Sequence, residues 1–274
     1  MKTIIAPTDF SSVSYNACLF AAKMAEDIKA ELILLHVMEL PAAVAEFPVT
    51  EEVFDAISME AELENLKTKL LSETNNKINI SSKNILGSVE YELKELSNVK
   101  KPFVVVMTTH SYSLLDRFFL GSTTVYSARH LRYPVLIIPP NVQYKPIKKI
   151  ALASDMKDIY EVPIDEIETI IKTFNVGTFE VYYAGKNEKN INRHTVESLI
   201  LDHRLLHLNP QFYFVEDEDI MRGITSLAEE HEADMLLIIP KKHGPFYKSR
   251  SKDFIFYSSL PLMAIHEDDF VQQA

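Results

Sequence analysis

The chain has no tryptophan, one cysteine and six glycines in 274 residues. Each shortage excludes something. A lone thiol, Cys18, cannot close an intrachain disulfide, so the fold must rest on its core, and a reducing compartment suits it. Cys18 lies in a helical-looking segment and reads as a small buried residue. Few glycines leave little room for dedicated phosphate-cradling loops. The sequence contains no GxGxxG fingerprint, no complete P-loop lysine motif and no GxSxG nucleophile elbow. No apolar run approaches the roughly 20 residues that span a bilayer. The opening MKTIIAPTDF has an apolar run too short for an export signal and an acidic residue at its end. A cytoplasmic protein without a membrane partner is expected. Positive charge is also scarce: 28 Lys and Arg face 39 Asp and Glu, a net charge of −11. Such a chain repels nucleic acid, but backbone N–H groups at a helix N-terminus can still hold a small phosphate. His203 and His207, four apart, lack a third ligand, and His110 and His243 lack a close companion, so no metal is expected.

What is present is an alternation of strand and helix. TIIAP from Thr3 reads as a strand, and Asp9 to Ser12 as a turn with helix-capping residues. Tyr15 to Ile28 has helical spacing. AELILLHVM from Ala30 is a nearly continuous apolar run, as a strand covered on both faces requires. Glu51 to Ser72 predicts a helix, INISSKNIL a strand, and Val89 to Leu96 a helix. FVVVM from Phe103 is the clearest strand, Ser122 to His130 a helix, and PVLII from Pro134 a closing strand. The alternation argues for a mostly parallel sheet flanked by helices.

IPPNVQYKP then carries three prolines and no helical period, which marks a linker. After it the pattern restarts. KIALASDM matches TIIAPTDF with Asp155 against Asp9, and FEVYYAG from Phe179 matches ILLHVME. ADMLLIIPKKH matches PFVVVMTTH with His243 against His110. LPLMAIHE matches YPVLIIPP with Pro261 against Pro134. Four matches in one order predict an internal repeat; the alternative is one large α/β domain. The expected domains are residues 1–140 and 147–274, with the boundary between Ile138 and Lys149. Each is expected to hold an open, mostly parallel five-stranded sheet.

Ligands of open parallel sheets bind beyond the carboxyl ends of strands. The stretch from Thr108 to Thr124 leaves such an end and enters a helix at Gly121–Ser122. Gly121 lets backbone approach a phosphate, and Ser122, Thr123 and Thr124 add donors. The same residues are also ordinary helix-capping chemistry.

APTDFS from Ala6, LLHVMEL from Leu34, and LGSTT ahead of HLRYPVLIIPP resemble the universal stress protein family, and the likeness runs through both halves as a tandem pair. The resemblance implies an adenine nucleotide alpha hydrolase-like fold and a protein that binds or senses ATP or another adenine nucleotide without strong catalysis. The alternative is an interaction scaffold that has lost nucleotide binding and serves an unknown protein partner. ATP-binding members carry glycine, two residues, glycine, nine residues, glycine, then serine or threonine. Here the last two fall on Gly121 and Ser122, while Thr108 and Ser111 replace the earlier glycines. By the same resemblance, Pro7, Thr8, Asp9 and Val37 line the adenosine side, and Thr108, Ser111, Gly121, Ser122 and Thr123 the phosphate side. The two halves would pack as an internal pseudo-dimer, with a further homodimer compatible with the family. In the second half Lys248 stands where Gly121 stands. Lys241, Lys242 and Lys248 belong to a basic loop that reads either as solvated surface or as an anion site.

Overall fold

A computed structural model describes residues 1–39, 50–109, 122–154, 162–184, 203–215, 219–240 and 259–266. These fall into two compact units, Met1–Tyr144 and Lys145–Ala274.

In the first unit the strands are β1 (Thr3–Pro7), β2 (Glu31–Met38), β3 (Ile80–Leu86), β4 (Val104–Thr108) and β5 (Val135–Ile138). The helices are α1 (Ser12–Ile28), α2 (Thr50–Glu73), α3 (Val89–Lys100) and α4 (Ser122–His130). Strand order is β3-β2-β1-β4-β5, and every pairing is parallel. Ile4, Ile5, Leu32, Leu34, Leu35, Val104 and Val105 are inaccessible to solvent, which explains why these strands are apolar throughout and not alternating. Each such side chain contributes about 1.5–3 kcal/mol of burial. β3 lies at the end of this order, and its burial is only partial along its length.

Local signals set the helix ends. Ser11 caps α1 by accepting the N–H of Ser14 at 3.2 Å, and Lys29 closes it in the left-handed region at φ 54°, its N–H reaching Ala25 O. Lys101 ends α3 in the same way at φ 47°. The helix therefore runs one turn past Leu96, because Ser97 is buried and Lys100 sits in the last turn. The linker prolines are followed by residues that stay with the first unit. Val142 O accepts from Asn16 Nδ2 at 3.0 Å, and the Tyr144 ring meets Phe20 edge-on at 5.0 Å between centroids.

The second unit repeats the plan with β6 (Lys149–Ser154), α5 (Ile164–Phe174), β7 (Thr178–Ala184), β8 (Gln211–Val215), α6 (Ile220–Glu230), β9 (Met235–Ile238) and β10 (Leu262–Ala264). Its order, β10-β9-β6-β7-β8, is the first unit's order advanced by five strands, again all parallel. Asp234 fixes its first strand. The carboxylate accepts the backbone N–H groups of Lys148 and Lys149 at 2.7 and 2.8 Å and pairs with Lys145 at 2.7 Å.

Register corrects two of the matches between halves. Ile4 lies opposite Val104, and its counterpart Ile150 lies opposite Met235. Met235 therefore corresponds to Val104 and not to Pro102, a slip of two residues that takes His243 off His110. Ile4 also faces Leu32 while Ile150 faces Phe179, so Phe179 corresponds to Leu32 and not to Ile33. The reason is physical. A strand buried on both faces has no polar alternation to pin its register.

Candidate functional site

In the first unit the chain builds outward from β1 through β2 to β3, then returns to β4 on the other side. The carboxyl ends of β1 and β4 therefore flank a switch point. A cleft of about 220 Å³ opens there. Its apolar side is Leu35, Val37, Val89 and Met107; its polar side includes Thr8, Asp9, His36 and Thr108. Pro7 lies on its wall, and Thr123 and Thr124 reach it from the start of α4.

The β1–α1 turn is tightly bonded. Asp9 Oδ1 accepts from the Ser11 N–H at 3.0 Å and from the Ser11 hydroxyl at 2.6 Å. Ser11, not Asp9, is thus the helix cap, while the exposed Asp9 shapes the turn that places it. Phe10 sits at φ 62°, uncommon for a bulky side chain, and its N–H donates to Thr8 Oγ1 at 3.0 Å. Ser14 Oγ donates to Ser11 O at 3.0 Å and lies 3.1 Å from Thr8 Oγ1. Below this turn Cys18 is inaccessible, and burial pushes its thiol up to about 12, against a lowering hydrogen bond from Thr8 and with a small push from Asp9.

Opposite, Thr108 ends β4 in register with Ile138 and donates its hydroxyl to Ile138 O at 3.1 Å. Its backbone is ordinary strand and has no positive φ. A glycine's conformational freedom is therefore not needed at this position, and the β-branched side chain fits the strand. Thr124 Oγ1 donates to Thr108 O at 2.9 Å, tying the first turn of α4 to the end of β4.

The structure thus brings together Pro7, Thr8, Asp9, Val37, Thr108 and Thr123 around one cleft. Ser122 begins α4. Ser111, Gly121, Lys241, Lys242 and Lys248 lie outside the described residues, as do His110, Asp155 and His243. Sequence reasoning missed Leu35, His36, Val89 and Met107. For His36 a signal existed: a polar residue breaking an otherwise apolar buried strand.

The model of the universal stress protein family matches residues 1–139. The chain belongs to that family. Its relative in Methanocaldococcus jannaschii, universal stress protein MJ0531, is 27% identical over 140 residues, covering 50% of this chain and 81% of the relative. A crystal structure of a universal stress protein from Archaeoglobus fulgidus has the same fold over 96% of this chain and 98% of its own, with TM-score 0.72 and 14% identity. A protein of unknown function from Pseudomonas aeruginosa follows at TM-score 0.61 and 12% identity, over 99% of this chain and 94% of that one. The family match covers the first unit, and the full-length likeness carries the universal stress protein fold into the second. Among the described residues no cluster of three or more His, Cys, Asp and Glu is placed to hold a metal, and no helix is long and apolar enough to cross a membrane.

Proposed function

We propose that the first unit of this universal stress protein binds or senses an adenine nucleotide in the cytoplasm, without strong catalysis. The supporting observation is the cleft at the β1/β4 switch point, where six residues singled out from the sequence meet. Its volume, below the roughly 300–1,000 Å³ of a drug-sized pocket, suits the adenosine part of a ligand. The base would lie against Val37 and Met107. Phosphate would sit at the start of α4, beside Thr123, with Ser111, Gly121 and Ser122 the further residues that the family pattern assigns to it. Thr108 in place of glycine is compatible with this reading, because that residue keeps strand geometry. Binding is favoured over turnover by the state of the titratable groups that line the cleft among the described residues. Asp9 Oδ1 is held by Ser11 and His36 Nδ1 by Thr8 O, so each is bonded for positioning.

Protein purified without added ligand should release adenine nucleotide on denaturation, or bind ATP, ADP or AMP in a calorimetric titration. Asp9→Ala should weaken that binding by about 1–3 kcal/mol if its carboxylate meets the ligand. Unchanged affinity would assign Asp9 to the turn alone, and no binding of any of the three would leave the scaffold reading in its place.

A further inference from the structure

His36 sits on β2 at the cleft wall, and the atoms around it fix its proton. Its Nδ1 lies 2.8 Å from Thr8 O. A backbone carbonyl only accepts, so Nδ1 carries the hydrogen. In the neutral ring the Nε2 lone pair is then an acceptor, and it has no protein partner among the described residues. The ring is backed by Phe10, with centroids 4.5 Å apart, and Phe10 is itself held at φ 62° by its bond to Thr8. The imidazole is therefore fixed in both tautomer and plane.

The neighbouring hydroxyls sharpen the consequence. Ser14 donates to Ser11 O, Thr124 to Thr108 O and Thr108 to Ile138 O, and the Thr8 hydroxyl lies 3.1 Å from Ser14 Oγ. Those hydrogens are directed at protein oxygens, away from a guest. Near His36 the cleft offers acceptors beside the apolar wall of Val37. A ligand seated there must bring its own donor.

We propose that His36 is a specificity-determining residue: its Nε2 accepts a hydrogen bond from an N–H or O–H of the bound nucleoside. This rests on the nucleotide reading above and extends it to a residue outside the nine predicted from sequence. The donor is either the exocyclic amine of the base or a ribose hydroxyl, and analogues separate the two.

The test uses the full-length chain and calorimetry with AMP, purine riboside monophosphate, which lacks the amine, and 2′- and 3′-deoxy-AMP. The wild type should lose roughly tenfold in affinity for whichever analogue lacks the donor. His36→Asn keeps a donor for Thr8 O but removes the Nε2 acceptor. It should bind AMP roughly tenfold more weakly and no longer distinguish that analogue. His36→Gln restores an acceptor at the ε position and should recover the discrimination. A wild type that binds AMP yet ignores all three changes overturns the inference, even if the Asn variant fails to fold. So does an Asn variant that discriminates as the wild type does. Failure of the wild type to bind AMP removes the nucleotide reading, and this inference with it.

Discussion

The two units share one strand order but differ in where β2 and β7 place a polar side chain. In the first, position 36 is a half-buried histidine facing a cleft. By register its counterpart is Tyr183, almost wholly buried and packed between Phe212 and Phe214 at 5.7 and 5.4 Å. Val37 becomes Ala184 and Thr108 becomes Ile239. At the other end of the strands the trade reverses. Ile33 in the first unit corresponds to Glu180, which is buried and held by Tyr182 Oη at 2.5 Å, His231 Nδ1 at 3.0 Å and Lys149 Nζ at 3.8 Å. A duplicated fold thus keeps its scaffold while position 36 faces a cleft in one copy and its counterpart is a buried aromatic ring in the other. Glu180 lies near the amino end of β7, away from the carboxyl ends where ligands of such sheets bind.

The comparison can be broken at several points. The largest effect is expected at Tyr183. Tyr183→Ala should cost the second unit about 3–5 kcal/mol, as removal of a buried aromatic does. His36→Ala in the first should cost well under half of that, since the ring is half-exposed. Hydrogen exchange read unit by unit checks both, and equal losses would mean that the two positions do the same job. Next is the Glu180 network. His231→Leu withdraws one donor from a buried carboxylate and should destabilise the second unit by about 3 kcal/mol. Glu180→Ile, which copies the first unit, should be far milder when combined with Tyr182→Phe. A double-mutant cycle in denaturant measures the difference.

A smaller effect depends on acid. Asp234 stands where the first unit has Phe103, whose ring lies 6.0 Å below Lys2 Nζ. Burial opposes ionisation of Asp234, but Lys145 and the N–H groups of Lys148 and Lys149 outweigh it and hold its carboxyl below the usual value. A depressed folded value means that this stability is present above the ordinary aspartate range near pH 4 and is lost as pH falls through the folded value. β6 amides should therefore lose protection below about pH 4 while β1 amides keep theirs, and Asp234→Asn should flatten that difference. The smallest effect concerns the basic stretch of the second half. Lys241, Lys242 and Lys248 together changed to Ala should reduce phosphate or ATP binding by this half at low salt only, because exposed charges are screened over about 8 Å at physiological ionic strength. Equal titrations of both proteins at low salt would assign the stretch to solvated surface.

How far the sequence reached follows from which signals were redundant. The five-stranded parallel sheets were legible because apolar runs, caps and prolines agreed. Pro134 and Pro261 precede β5 and β10 in matching places, with Val105 N–H and Leu236 N–H bonded to their carbonyls. The strands between them slid by one or two residues in the match, since Ile, Leu and Val in any order fill a doubly covered strand. Half of the cleft was equally hidden. Asp9 and Val37 stood out through family likeness, whereas Met107 and Val89 reach the cleft only through the topology that carries α3 and β4 beside β1. His36 was visible as a polar interruption, but its tautomer depends on a carbonyl 28 residues away in sequence.

The chain's single thiol has a practical consequence. Cys18 is wholly enclosed beneath Thr8, on the floor of the turn that shapes the cleft, and burial keeps it protonated at neutral pH. An alkylating reagent can reach it only when the first unit opens. Its modification rate is therefore a clock for that opening, blind to the second unit and free of any engineered label. A guest that settles against Thr8 and His36 should slow the clock in proportion to its occupancy, so that ligand binding could be timed without observing the ligand.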